Sequence, residues 1–292
     1  MKHVYTIEDL REGTLPDNAK LAVLGYPVSH SASPQMQQAA LDALGMDVSY
    51  IRLEIEPGKV GESFELMRRL GFIGCNVTIP HKMEAMENCD DLSESVKVLG
   101  VANTIHFKDG KIYGDSTDGP GIVKALEEDF NISLKGSSIL VLGAGGGAGK
   151  AISTKLNSEG CANLYLSNRT MSKLEKMAEG LPQTETRVHL LGNSSSELEL
   201  IAGEVQIIIN ATSMGMKPED CLPFPAQFLT AQHKVYDAIY NPPRTRLLES
   251  ANERGAVVAN GLSMLVHQGA ISFEIWTGAQ PDTALMKIAI TT

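Results

Sequence analysis

Hydrophobic and polar positions along this chain follow two rhythms. Short runs rich in Val, Ile and Leu, which suit strands buried on both faces, alternate with longer stretches whose apolar residues recur every three or four positions, as in amphipathic helices. In the first part the pattern predicts strands over residues 21–25, 48–53 and 73–77, with an amphipathic helix over about 59–70. A further helix is entered at Ser33-Pro34, with Ser33 as N-cap and Pro34 at the first helical position. Asp109-Gly110 predicts a hairpin between strands over about 103–107 and 111–113. A helix over about 119–128 leads into a second series of strands near 139–143, 164–167, 188–191, 205–210, 235–238 and 256–258. The last helix, about 263–277, follows once that series is complete, so it is free to pack back on the first part.

Strands alternating with helices are the signature of α/β folds with parallel sheets. The expected architecture is two α/β domains flanking a cleft, the second a Rossmann-type doubly wound parallel sheet. The predicted division places residues 1–117 and 261–292 in a split substrate-binding and catalytic domain, and 118–260 in a nucleotide-binding domain. Ligands of such sheets bind beyond the carboxyl ends of strands, so candidate chemistry lies in the residues that follow each strand.

One such end is almost free of side chains. The run from Ile139 to Gly149 joins a buried-strand pattern to a G-x-G-x-x-A turn, in which Gly143 permits the tight crossover and Gly145 lets backbone N–H groups approach a pyrophosphate. Ala148 is the small residue for helix packing, and Gly146 and Gly147 complete the candidate cradle. The next strand ends in Asn168-Arg169-Thr170, where an NAD-binding unit usually carries an Asp or Glu for the ribose 2′-hydroxyl. A carboxylate there would repel a 2′-phosphate, whereas a guanidinium grips it with charge-assisted hydrogen bonds. With Lys173 one turn along the following helix, the expected cofactor is NADP(H).

Strand ends of the first part offer His30-Ser31-Ala32-Ser33, Asn76-Val77-Thr78-Ile79-Pro80-His81-Lys82, Asn103-Thr104 and Ser116-Thr117-Asp118. Uncharged donors and acceptors with one Lys and one Asp suit a small polyhydroxylated molecule better than a metal or a nucleic acid. Taken singly, Ser33 and Asp118 also serve as helix caps and Asn103 as a turn residue. Together they meet the needs of hydride transfer to a ketone, which builds negative charge on oxygen and calls for a proton donor; Lys82 paired with Asp118 supplies one. His30, His81 and His267 form neither a metal-binding pair nor a triad, and no metal is expected.

Composition narrows the partners. The chain has 292 residues, 43% of them hydrophobic, enough for two domains of ordinary size. A net charge of −10 argues against nucleic acid, and the apolar stretches are too short to span a bilayer. Four cysteines without a C-x-x-C pair suit buried small apolar residues in a reducing cytoplasm. The N-terminus has no secretory pattern, so a cytoplasmic protein with small-molecule partners is expected. A homodimer is left open.

The strings Gly25-Tyr-Pro-Val-Ser-His-Ser-Ala-Ser-Pro34, Gly74-Cys-Asn-Val-Thr-Ile-Pro-His-Lys82, Asn103-Thr104, Thr117-Asp118-Gly119, Asn168-Arg-Thr170, Ile209-Asn-Ala-Thr-Ser-Met-Gly215 and Asn260-Gly-Leu-Ser-Met-Leu-Val-His-Gln268 resemble the shikimate dehydrogenase family. The resemblance runs in order from about residue 20 to 278. It implies NADPH-dependent, reversible reduction of 3-dehydroshikimate to shikimate, a step of chorismate and aromatic amino-acid biosynthesis, on a pair of α/β domains. It further implies that Lys82 and Asp118 are the catalytic pair, that Ser31 and Ser33 hold the substrate carboxylate with Tyr240 nearby, and that Asn76, Thr78, Asn103 and Gln268 bind ring hydroxyls or organise that shell. Ala211, Thr212, Ser213, Met214 and Gly261 would line the nicotinamide and its ribose. Gln37, Ser116, Lys173, Ala238 and Gly269 depart from the family's usual residues. Gln37 and Gly269 resemble the quinate/shikimate branch with mixed NAD and NADP use, which is the alternative; a non-catalytic binding protein of the same fold is a rival of another class.

Overall fold

The apolar run at Ala19–Gly25 forms β1, nearly all of it buried, with β2 (Ser49–Glu54) and β3 (Gly74–Val77) parallel to it on either side. The computed structural model describes residues 3–291 and divides into two units, Met1–Thr117 with Val266–Thr292, and Asp118–Leu265. In the first unit β5 (Thr104–Lys108) runs antiparallel to β3, and β6 (Lys111–Asp115) antiparallel to β5. A two-residue β4 (Asp91–Leu92) lies parallel to β6 and completes the order β2-β1-β3-β5-β6-β4. Asp109 and Gly110 close the β5–β6 hairpin with φ of 51° and 75°, the two left-handed residues that a tight primed turn requires.

Helices α1 (Ile7–Glu12), α2 (Ser33–Ala43), α3 (Val60–Arg69), α4 (Lys82–Glu87) and α5 (Glu94–Leu99) accompany this sheet. Phe64 and Met67 of α3 reach its core, which holds Ala22, Leu24 and Cys75. Strand β4 and helices α1, α4 and α5 span six residues or fewer, too short for a periodic signal. The segment before α1 covers the outer edge of β2: Tyr5 N donates to Arg52 O at 2.9 Å and Glu54 N to Tyr5 O at 2.8 Å. Helix α2 starts earlier than its sequence signal. The carbonyl of Ala32 accepts from Met36 N, so Ala32 occupies the N-cap position, Ser33 is the first helical residue, and Pro34 follows it.

In the second unit, β7 (Ser138–Leu142), β8 (Asn163–Ser167), β9 (Arg187–Leu191), β10 (Ile207–Asn210), β11 (Lys234–Asp237) and β12 (Val257–Asn260) form a parallel sheet of order β12-β11-β10-β7-β8-β9. This is the doubly wound order, and it reverses between β7 and β10. Helices α6 (Asp118–Phe130), α7 (Gly147–Asn157), α8 (Met171–Glu179), α9 (Ser195–Ala202) and α10 (Arg246–Glu253) bury their apolar residues in two cores, one containing Ile122, Ile152 and Leu174 and the other Leu198, Leu247 and Leu248. Helix α11 (Leu262–Thr277) crosses the boundary between units, and α12 (Thr283–Ile288) packs on α2.

Cysteine burial departs from expectation at one place. Cys75 and Cys161 are buried and Cys89 is half-buried, but Cys221 lies exposed in the polar loop after Lys217; all are unpaired. Burial raises the Cys75 and Cys161 thiols and pushes Cys89 up to about 12. No helix among the described residues is long and apolar enough to cross a membrane.

Trp276 anchors α11 in the first unit by donating from Nε1 to the Ile105 carbonyl at 2.8 Å, directly over Gly74. A Cβ at Gly74 would overlap both the indole nitrogen and that carbonyl oxygen. Gly74→Ala is expected to destabilise the fold by about 1–3 kcal/mol, the usual range for overpacking. Urea denaturation checks this, and an unchanged midpoint would show that α11 is not held there.

Candidate active site

In the first unit, topology gathers polar residues at one end of the sheet. Because β1 and β3 are parallel and β5 returns antiparallel, the carboxyl ends of β1 and β3, the start of β5 and the end of β6 coincide, with Asn76 opposite Thr104 and Thr104 opposite Asp115. Asn103 is 3% exposed and joins three segments there. Its Oδ1 accepts from Thr117 N at 2.8 Å, and its Nδ2 donates to Thr117 Oγ1 at 3.0 Å and Gln268 Oε1 at 3.4 Å. Asn76 is held by Tyr50, whose hydroxyl donates to Asn76 Oδ1 at 2.8 Å, and donates from Nδ2 to Ser272 Oγ at 2.9 Å. Ser272 and Thr104 share a 2.8 Å hydrogen bond. Burial raises the Tyr50 phenol well above its usual value, so it stays a neutral donor.

The loop after β1 carries Ser31 and Ser33, linked by Ser33 N donating to Ser31 Oγ at 3.3 Å. Arg52 pins it from below, with Nη2 donating to Ser31 O at 2.7 Å and to Gln35 Oε1 at 2.9 Å. Glu54 adds a second tie by accepting from Val28 N at 3.1 Å. The loop meets the segment after β3 at Gly25, where a Cβ would lie 2.6 Å from Thr78 Cγ2, and Tyr26 N donates to Ile79 O at 3.2 Å.

Lys82 is half-buried in the first turn of α4, and its carbonyl accepts from Ala102 N at 2.9 Å. The preceding His81 is 1% exposed and places Nε2 at 2.8 Å from the Ile55 carbonyl. A carbonyl only accepts, so Nε2 carries the proton, while Nδ1 is buried without a hydrogen-bond partner and lies 3.9 Å from Glu84 Oε2. Burial lowers the His81 pKa below its ordinary 6.5, against smaller opposing effects of the Ile55 carbonyl and Glu84. Sequence reasoning picked out Thr104 with Asn103 but missed Tyr50, Arg52 and Ser272, which act through backbone or other side chains and occupy ordinary strand and helix positions.

In the second unit the strand-order reversal brings two loops together. Gly143 has φ of +78°, and a Cβ there would lie 2.6 Å from Thr212 Cγ2. A Cβ at Gly145 would lie 3.1 Å from Asn168 Nδ2, so the glycine turn also abuts the end of β8. Gly146 and Gly147 are exposed at the start of α7, whose first-turn N–H groups have no acceptor within the helix. Ala148 packs on the core, and the closest backbone approach falls at Gly149, where a Cβ would overlap the Gly143 carbonyl. This cradle is open where a nucleotide pyrophosphate needs backbone donors, so these residues fit the expected cofactor.

Arg169 and Thr170 are exposed after β8, and Lys173 stands exposed in the first turn of α8; no carboxylate ends that strand. Lys150 on α7 adds a cation that sequence analysis passed over; its pKa is lowered by burial and by the charge of Lys176. Ala211–Gly215 follows β10, with Ser213 exposed and Thr212 and Met214 half-buried. Tyr240 is half-buried in the loop after β11, and Gly261 packs against the Ala238 carbonyl in a space too small for a Cβ. Asp118, 6% exposed, is the first residue of α6 and adjoins Thr117 in the chain.

Comparison with known proteins matches residues 23–105 to the shikimate dehydrogenase substrate binding domain, 124–217 to shikimate / quinate 5-dehydrogenase, and 261–290 to the shikimate 5′-dehydrogenase C-terminal domain. The chain is 42% identical over 266 residues to shikimate dehydrogenase (NADP(+)) of Geobacillus kaustophilus, covering 91% of this chain and 95% of that one. It is 38% identical over 274 residues to the protein of the same name from Methanopyrus kandleri, covering 92% and 94%. Among solved structures, shikimate 5-dehydrogenase of Thermus thermophilus in complex with NADP(H) and shikimate superposes with a TM-score of 0.83 at 34% identity, over 94% of this chain and 98% of that one.

The buried imidazole of His81 predicts a pH dependence of stability. Its folded pKa lies below 6.5, so at higher pH it is neutral in both states. As pH falls through 6.5 the unfolded chain takes up a proton that the folded chain refuses, and stability declines. His81→Gln, which can still donate to the Ile55 carbonyl, is expected to make the decline between about pH 7 and pH 5 shallower, leaving the part due to His106, whose pKa is also lowered by burial. Urea unfolding across that range measures it; an identical slope in the variant would place the effect elsewhere.

Proposed function

We propose that this chain, which belongs to the shikimate dehydrogenase family, reduces the ring ketone of 3-dehydroshikimate to the hydroxyl of shikimate with NADPH, and runs the reverse oxidation with NADP+. The observation that carries this reading is the uncharged donor and acceptor network around Asn103 and Asn76, at the same sheet end as a half-buried lysine. A polyhydroxylated ring needs such groups, and a ketone being reduced needs a nearby acid.

When bound, the nicotinamide supplies the hydride. The Lys82 ammonium donates a proton to the ring oxygen as negative charge builds there, and Asp118 serves as its carboxylate partner. The hydroxyls of Ser31 and Ser33, with Tyr240, take the substrate carboxylate. Asn76, Thr78, Asn103 and Gln268 take ring hydroxyls or organise that shell, Asn76 and Asn103 both having their amide O and N engaged by neighbouring groups. The backbone N–H groups of Gly145, Gly147 and Ala148 receive the pyrophosphate, those of Gly143, Ala144 and Gly146 already donating to the Ser167 and Gly143 carbonyls, and Asn168, Arg169, Thr170 and Lys173 receive the 2′-phosphate. Residues 211–214 and Gly261 flank the nicotinamide. The reaction runs in the cytoplasm on small-molecule partners, a setting that suits four unpaired cysteines. A homodimer is compatible with this reading, and sedimentation decides it.

Steady-state assays crossing shikimate and quinate with NADP+ and NAD+ are expected to favour shikimate with NADP+. Quinate oxidised with NAD+ as efficiently would move the protein to the quinate/shikimate branch. Shikimate binding without turnover would make it a binding protein. Lys82→Ala is expected to lower kcat by about two to four orders of magnitude with a smaller effect on substrate affinity. Equal loss in affinity alone would make Lys82 an anchor. Arg169→Ala is expected to weaken NADPH binding by about 1.5–3 kcal/mol while leaving NADH use nearly unchanged, which cofactor titrations measure. A parallel loss for both cofactors would remove the phosphate role.

A further inference from the structure

We propose that Asp237 is a positioning residue for the cofactor: through Asn210 and Thr212 it sets the conformation of residues 211–215 and thereby the affinity for NADPH. The inference rests on the assignment of that loop to the nicotinamide, made above. Asp237 is the last residue of β11 and is 0% exposed. A carboxylate withdrawn from water at a strand end costs stability unless donors surround it, and an apolar residue would complete the strand without that cost.

The donors around Asp237 come from the last residue of β10 and from the segment between β11 and α10. Oδ1 accepts from Asn210 Nδ2 at 2.9 Å and from Ile239 N at 3.1 Å, and Oδ2 accepts from Thr245 Oγ1 at 2.6 Å. Burial raises the Asp237 pKa, against the opposing effect of these same three donors.

Asn210 passes this constraint into the loop. Its Nδ2 also donates to Met214 O at 3.1 Å, while its Oδ1 accepts from Thr212 N at 3.1 Å and Thr212 Oγ1 at 2.7 Å. Thr212 Oγ1 in turn accepts from Met214 N at 3.0 Å. An amide has a donor end and an acceptor end, and the carboxylate oxygen facing Asn210 accepts, so only one orientation of the amide satisfies both the strand and the loop. Without that acceptor the side-chain tie between β11 and the amide is lost, and the amide keeps only its loop partners, Thr212 and the Met214 carbonyl. Thr212 is also the residue against Gly143, where a Cβ would lie 2.6 Å from its Cγ2. The loop's conformation therefore also sets the surface on which the glycine turn rests. Beyond it, Asp220 Oδ2 accepts from Gly215 N at 2.9 Å and Lys217 N at 3.0 Å, so the outer end is tied separately and the inner end depends on Asp237.

The test compares wild type with Asp237→Ala, Asp237→Asn and Asn210→Ala, measuring binary NADPH binding by cofactor fluorescence, and KM and kcat for NADPH. Asp237 and Asn210 are both 0% exposed, so neither presents a side chain to the cofactor itself. Asp237→Ala and Asn210→Ala are expected to raise the NADPH Kd and KM about tenfold, the effect of losing one or two buried hydrogen bonds. Asn at 237 keeps the Oδ1 acceptor and can offer its NH2 to Thr245, and is expected within about threefold of wild type. A purely structural role would lower kcat with the folded fraction and leave Kd and KM unchanged, which would overturn the inference even if Asp237→Ala folds poorly, because Asn210→Ala reports on the same chain of bonds. Wild-type protein that binds no NADPH would instead remove the cofactor assignment itself.

Discussion

Asn103 in the first unit and Asp237 in the second are almost wholly withdrawn from water, and each must find partners for every polar atom or destabilise the fold around it. Both sit where the regular ladder of a strand has just begun or just ended, so the partners come from neighbouring loops. That requirement ties segments far apart in the chain. Asn103 reaches Thr117 and Gln268, and Asp237 reaches Asn210 and Thr245. The loops on which the candidate chemistry lies are held by these satisfied groups together with buried apolar residues such as Val28, Ala144 and Ile239.

The two units use this constraint differently. In the first, the network is built from amides and hydroxyls, which both donate and accept, as the hydroxyls of a polyhydroxylated ligand do. Arg52 holds the carbonyl of Ser31 in place, so the serine loop keeps its shape. In the second, backbone N–H groups at the start of α7 and cations near β8 suit a ligand that is anionic along much of its length. Glycine at 143 and 145 lets loops from β7, β8 and β10 meet without side chains between them.

Much of the secondary structure was legible in the order of the residues. Runs of Val, Ile and Leu marked the long strands, and Asp109-Gly110 marked the hairpin because few other pairs accept two left-handed residues in succession. The short elements escaped: β4 has two residues and pairs only because β6 lies beside it. The start of α2 shifted by one residue because Ala32 already takes a helical hydrogen bond, a matter of local geometry that Ser33-Pro34 does not encode. Candidate residues with reactive groups, such as Lys82 and Arg169, stood out by type and motif. Tyr50, Arg52 and Ser272 did not, because their task is to hold other groups, and nothing in a lone Ser or Tyr names its partner.

Local order in the chain thus determined which stretches are strands, where the side-chain-free turn lies, and that no carboxylate guards the end of β8. Only the tertiary structure decided which of these features meet. The return of β5 antiparallel to β3 places Asn76 beside Thr104, and the reversal of strand order between β7 and β10 places Thr212 against Gly143. Periodicity is a property of neighbours in sequence and survives without the fold. A hydrogen bond such as that between Asn76 and Ser272, 196 positions apart, exists only once the sheet and α11 have been brought together.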